Sequence, residues 1–272
     1  MRYKLIIEYA GTRYSGWQIQ KNARTIQGEI DQAVRTVTGR TDFELGGSGR
    51  TDAGVHALAQ VAHLDVVTSL GDTLLQQRLN AELPADINIL ALARAPRSFH
   101  SRHSAQSRCY LYQIARRRTA FAKPFVWWVK EPLDLVRMRE AAGSLVGMRD
   151  FQSFAAADRR QDDDGDSAPP TSTLVAIERV DVVESGDLVL IGIEGSHFLW
   201  RMVRRIVGVL VEMGTGRMEV GRMQRLLTST SDLPAKLTAP ASGLFLARVF
   251  YPGDSRERGL DPATPVGRVS RD

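Results

Sequence analysis

Cysteine occurs once in this chain, as Cys109, which excludes an internal disulfide and any metal cage built from thiolates. A zinc site would have to draw on His100 and His103 plus distant groups, and no metal is expected. No stretch approaches the roughly 18 consecutive apolar residues that a membrane-spanning helix requires. The opening Met1 to Tyr9 alternates like a strand and lacks the continuous apolar core of a secretory leader, so a cytoplasmic protein without a membrane segment is expected. No internal repeat is visible in the letters. Charge of one sign is also scarce in net terms: 36 basic residues stand against 31 acidic ones, leaving +5 and a pI near 9.6. That modest excess suits a polyanionic partner, and its side chains are mostly arginine, whose forks match phosphate and stack on bases. Arg50, Arg116, Arg117, Arg118, Arg201, Arg204 and Arg205 are therefore candidates for a track along RNA. Codon usage in a GC-rich genome would enrich arginine in the same way, so composition is compatible with RNA without requiring it.

What the chain does have is enough apolar material, 43% of 272 residues, to build one large domain or two of ordinary size. Tyr3, Leu5, Ile7 and Tyr9 recur at the period of a strand, and Ile26, Ile30, Ala33, Val34 and Val37 at that of a helix. An apolar stretch over 57–67 reads as a strand, 74–79 as a helix, and Ile87, Ile89 and Ala91 as a further strand. In the second half, 109–116 and 126–129 read as strands and 135–145 as a helix. A hairpin is expected from 174–183 and 188–193 across the turn 184–187, and a helix over about 199–213. Frequent hairpin-length connections favour α+β over a doubly wound parallel sheet. A boundary near 104 divides an N-terminal half, 1–104, from a C-terminal half, 105–252. The charged stretch 158–170 reads as a mobile insertion and 253–272 as a disordered tail.

One segment draws the eye to chemistry. Gly46-Gly-Ser-Gly-Arg-Thr-Asp-Ala-Gly-Val-His-Ala57 sets a single carboxylate, Asp52, in a glycine-rich loop just ahead of a strand, with Arg50 two residues away. The loop is not a phosphate loop, because Gly-Lys-Ser/Thr is missing, and not a dinucleotide fingerprint, because Asp52 stands where a third glycine belongs. It is not a nucleophile elbow either, since Arg50 takes the last glycine position. Such a loop can close an Asx turn, or it can hold a nucleophile at a fixed angle.

The wording of this loop and of segments on either side of it resembles the tRNA pseudouridine synthase A family. The resemblance begins at Tyr9-Ala-Gly-Thr12, Gly16-Trp17-Gln18 and Thr25-Ile-Gln-Gly-Glu29, and is most specific at Gly49-Arg-Thr-Asp-Ala-Gly-Val-His56. It continues through Phe99-His-Ser-Arg102, Arg108-Cys-Tyr-Leu-Tyr112, Asp150-Phe-Gln-Ser-Phe154, Phe198 to Gly208 and Gly243-Leu-Phe-Leu246, covering roughly residues 1–252. It implies the pseudouridine synthase fold, a mainly antiparallel sheet flanked by helices with a cleft between two similar halves. It implies conversion of uridine to pseudouridine at positions 38–40 of the tRNA anticodon stem-loop, without cofactor or metal, by a homodimer. By the matching motifs, Asp52 is the expected nucleophile or base and Arg204 the guanidinium that keeps it ionised. Tyr110 is the ring expected to stack on the target uracil, and Arg50 the side chain that supports the flipped nucleotide by touching RNA. His56 and His63 are expected to be structural. One departure is Ser172, which stands where relatives carry an arginine. The rival expectation is a catalytically inactive RNA-binding protein of the same fold.

Overall fold

The structure, a computed structural model, describes residues 1–156, 172–256 and 259–267; the charged insertion expected at 158–170 lies outside the described residues. The chain divides into two compact units. The first is Met1–Cys109 with Leu244–Arg258, and the second is Tyr110–Gly243 with Gly259–Asp272. Each unit is thus completed by a segment from later in the chain, an interleaving that a linear boundary near 104 does not anticipate.

In the first unit, β1 (Arg2–Tyr9) lies between β3 (His56–Asp65) and β4 (Ile87–Arg94), antiparallel to both. Tyr3, Leu5, Ile7 and Tyr9 are all buried, so the alternation read from the sequence is the alternation of the pleat. A one-residue slip would turn all four outward, at roughly 1.5–3 kcal/mol for each large apolar side chain. β2 (Glu44–Gly47) pairs antiparallel with β3, and β10 (Leu244–Phe250) joins β3 in parallel. The first helix, α1 (Ile26–Thr38), starts where the Thr25 hydroxyl accepts the Gly28 N–H at 3.2 Å and stops at Gly39, whose φ of 67° is left-handed. It buries Ile26, Ile30, Ala33 and Val34 on one face, and α2 (Asp72–Glu82) buries Leu75 and Leu79.

The second unit takes in β5 (Ser107–Ala115) from Tyr110 onward. Its strand order runs β5, β9 (Leu188–Gly195), β8 (Leu174–Ser185), β7 (Gly147–Asp150), and β6 (Trp127–Trp128) pairs in parallel with the end of β5. The β8–β9 hairpin and the β7–β8 pair are antiparallel. Asp134 caps α3 (Leu135–Gly143) by accepting the N–H groups of Val136 and Arg137 at 2.9 and 3.1 Å. The long helix α4 (Met202–Gly214) is apolar on nearly every side and is followed by α5 (Arg222–Thr228) and α6 (Leu233–Lys236). A side chain at Gly208 would meet the Leu237 carbonyl at 1.6 Å, so the helix packs backbone-close against that segment. Mostly antiparallel sheet with flanking helices is the α+β class expected from the sequence.

The expectation of a disordered tail from 253 is corrected over its last described stretch. Gln113, fully buried, accepts N–H bonds from Ala263 and Thr264 and donates to the Thr264 hydroxyl and the Phe125 carbonyl. Val266 is buried, and its carbonyl accepts the Asp187 N–H at 3.0 Å. Charged, proline-containing sequence concealed this docking because a few apolar residues, fitted to one buried amide, are enough to hold a short strap. Among the described residues no helix is long and apolar enough to cross a membrane.

Candidate active site

Asp52 sits half-buried in the turn between β2 and β3, and the backbone around it is fixed from both sides. Upstream, the buried Gln60 donates to the Gly49 carbonyl at 2.8 Å and its other amide end accepts the Ser48 hydroxyl at 2.8 Å. Arg108 donates to the Ser48 carbonyl at 3.0 Å. Adjacent to the carboxylate, the Thr51 hydroxyl meets the Tyr9 hydroxyl at 2.8 Å and the Thr51 carbonyl accepts the Trp17 N–H at 3.0 Å. Downstream, the Asp52 carbonyl accepts the Val55 N–H at 3.1 Å, and the Gly54 N–H reaches the Tyr14 carbonyl at 3.3 Å.

This accounts for the early motifs. Gly11 must lack a side chain because a Cβ would lie 1.9 Å from the Val55 carbonyl oxygen, and its N–H donates to His56 Nδ1 at 3.1 Å. Gly16 adopts φ 94° and would bring a Cβ within 2.4 Å of the Thr51 carbonyl oxygen. Segments some forty residues before Asp52 therefore form the cradle of its loop. The sequence singled out Tyr9, Gly11, Gly16 and Trp17 only as matching letters; Gln60 was missed, although a glutamine inside an otherwise apolar strand is a signal of a buried polar job. His56 and His63 are structural as expected: both are buried, and His56 stacks on Phe245 with ring centroids 4.8 Å apart. Arg50 is exposed.

In the second unit, Tyr110 is buried on β5 and meets the edge of Phe198 at 4.9 Å between centroids. Arg204, half-buried on α4, donates from Nε to the Ala239 carbonyl at 2.7 Å while its own carbonyl accepts the Ala239 N–H at 3.1 Å. Tyr112 donates to the next carbonyl, Pro240, at 2.8 Å; burial raises its pKa and the charge of Arg204 works the other way. Helix-wheel reasoning puts Arg201 and Arg205 together on the polar side of α4. Arg205 instead is buried, donating to the Ala155 carbonyl, because the segment after β7 covers that face. Ser172 is exposed, its hydroxyl accepting the Leu174 N–H at 3.2 Å.

A second cluster departs from the expectation that histidine ligands would come from His100 and His103. Glu44, His63 and His100 offer potential ligand atoms within 4.8 Å of one another. Gly46 makes room for the His63 ring, which a Cβ there would meet at 2.4 Å. His63 Nε2 lies 3.0 Å from Glu44 Oε1 and Nδ1 lies 2.8 Å from the Ser101 hydroxyl. His100 Nδ1 accepts the N–H groups of Arg102 and His103 at 3.2 and 3.3 Å, which leaves a proton and not a lone pair on Nε2 of the neutral ring. Arg2 holds the other Glu44 oxygen at 3.1 Å. The donor set therefore fits a hydrogen-bonded pin between β2, β3 and the 100–104 turn better than a cation. Hydrogen bonding to His63 keeps the Glu44 carboxyl below its usual range, and burial lowers the pKa of His100.

The family profile described as tRNA pseudouridine synthase matches residues 5–104 and 141–252. A protein named tRNA pseudouridine synthase A from Beijerinckia indica is 39% identical over 96% of this chain and 98% of its own length. Proteins of the same name from Afipia carboxidovorans and Brucella ovis are each 40% identical over 92% of this chain and 99% and 98% of theirs. Among solved structures, a Cbf5-Nop10-Gar1 complex aligns with 76% of this chain and 54% of that one at 9% identity and a TM-score of 0.32, too slight a likeness to carry weight. With a profile match over most of its length and relatives this similar, the chain belongs to the tRNA pseudouridine synthase family.

Proposed function

We propose that this protein converts uridine to pseudouridine in tRNA, at positions 38–40 of the anticodon stem-loop. The reaction exchanges one bond to the sugar for another: N1–C1′ breaks, C5–C1′ forms, a proton leaves C5 and one is gained at N1. No electron is gained or lost overall, so the residues need to supply only a nucleophile or base, proton transfer and a closed site that retains the detached ring. The observation that carries the reading is the Asp52 loop, whose backbone is hydrogen-bonded immediately before and after the carboxylate. Preorganisation of that kind is what a carboxylate attacking at a fixed angle needs.

In this reading Asp52 acts on the sugar or base, and Arg204 supplies the guanidinium that holds it ionised. Tyr110 stacks on the flipped uracil, with its hydroxyl available to take the C5 proton, and Arg50 supports the extruded nucleotide through its exposed position. The protein acts in the cytoplasm as a homodimer, with no metal or cofactor. The test is a pseudouridine map of an unmodified tRNA transcript after incubation with purified protein and no additive. Product at 38, 39 or 40 supports the reading; product elsewhere, or none, contradicts it. Light scattering at working concentration checks the dimer, and a monomer mass would remove it.

A further inference from the structure

The start of α4 brings two arginines, Arg201 and Arg205, to a helix end with no acid in its own first turn. Arg201 is its N-cap residue, with φ 61° and ψ 4°, and is the one non-glycine at positive φ among the described residues. Left-handed backbone is costly for an L-residue and glycine is its usual occupant, so an arginine at this position carries a backbone cost that glycine would not. No side chain caps the helix and no acid lies in its first turn. The exposed Arg201 guanidinium lies over the Trp200 ring, 4.6 Å from its centroid.

One turn on, Arg205 is only 9% exposed. It donates to the Ala155 carbonyl, yet its Nε–H is buried with no hydrogen-bond partner. Arg201 and Arg205 stand four residues apart, on the same side of the start of α4, where helix side chains lean toward the N-terminus. Burial first, and then the charge of Arg201, lower the pKa of Arg205, so the two cations feel each other. Among the described residues neither is in an ion pair. A helix N-terminus that adds its own positive end to two guanidiniums is a site for an anion with several acceptor oxygens.

We propose that the first turn of α4, with Arg201 and Arg205, binds a phosphodiester of the RNA substrate. The inference rests on the RNA substrate proposed above, and its test reads binding and not turnover. In the Asp52→Asn protein, binding of unmodified tRNA transcript is measured across a salt series. Arg201→Ala should weaken binding about tenfold at low salt and make the slope of log K against log salt shallower by about 0.7–0.9. Arg201→Lys should keep most of that slope. Arg201→Gly should lose the slope as Arg201→Ala does while raising the melting temperature, because it removes the charge and relieves the backbone together. An unchanged affinity and slope in Arg201→Ala would overturn the site. Inorganic phosphate alone is the second arm: if it raises the melting temperature of the wild-type protein but not of Arg201→Ala, while the RNA slope is unaltered, the turn takes a free anion and the proposal is wrong. A wild-type protein that binds tRNA with the expected slope but forms no pseudouridine would sink the isomerase reading and leave this site standing.

Discussion

Tyr9 and Thr51 meet hydroxyl to hydroxyl at 2.8 Å, both buried, and the residue that follows Thr51 is Asp52. A bond made at the end of the first strand thus fixes the loop at the base of the carboxylate. Tyr9→Phe takes away the partner of the Thr51 hydroxyl, which should cost about 1–3 kcal/mol in denaturant unfolding. Turnover should fall further than tRNA affinity, because the loop loses its set angle while the surface is unchanged. Equal losses in both, read from a kcat against KM comparison, would contradict a role in positioning.

Gly16→Ala tests the cradle from the 11–18 turn. At φ 94° with the Thr51 carbonyl 2.4 Å from the added carbon, alanine forces both the backbone and the loop to move. The left-handed conformation alone costs about 1–2 kcal/mol, and the clash adds to it. Melting temperature and product formation should both drop sharply. Alanine at Gly39, also left-handed but with no atom within 4 Å, should cost stability and spare activity.

Acidification should act through His100. Burial and then the charges of His63 and His103 depress its pKa below 6.5. The unfolded chain therefore takes up this proton first as pH falls, so the stability that belongs to neutral His100 is fully present above about 6.5 and is lost as pH falls through the lower, folded value. Glu44, also depressed, adds a loss at still lower pH, small because the carboxylate is largely exposed. His100→Gln should flatten the decline of the denaturant midpoint between about pH 7 and pH 5. Parallel curves for the two proteins would assign the acid sensitivity elsewhere.

The docked strap at 260–266 predicts that the tail contributes to folding. Removing residues 259–272 strips Gln113 of the Ala263 and Thr264 partners and takes away the buried Val266 together with the carbonyl that accepts the Asp187 N–H. A loss of about 1–3 kcal/mol is expected from the buried amide alone. An unaltered melting temperature would show that the strap binds without stabilising.

Most of the elements were legible because their apolar residues recur at one period: β1, α1 and α3 follow the alternations of Tyr3, Ile26 and Leu135 and their neighbours closely. β2 and β7 were not, since Gly46, Gly47 and Gly147 leave no apolar alternation to read, and pairing with β3 and β8 is what makes them strands. β10 was recognised only as the motif around Leu244, because its parallel partner β3 is nearly two hundred residues away and period says nothing about partners. The site was legible through one phrase, Arg-Thr-Asp-Ala-Gly-Val-His, but the groups that fix it were not. Gln60, Tyr9 and Gly16 act through geometry that assembles only when β1, β3 and the 11–18 turn come together. Arg205 was misplaced because a helical wheel gives direction but not what covers that face.

The most direct measurement compares wild-type protein with Asp52→Asn on an unmodified tRNA transcript, reading pseudouridine formed and tRNA bound in the same samples. Asparagine keeps the size of the side chain and leaves the backbone hydrogen bonds of the loop in place while removing the charge and nucleophilicity. The account predicts product from the wild-type protein, none from the variant, and comparable binding by both. Pseudouridine formed by Asp52→Asn at a rate near that of the wild type would contradict the claim that this carboxylate performs the chemistry.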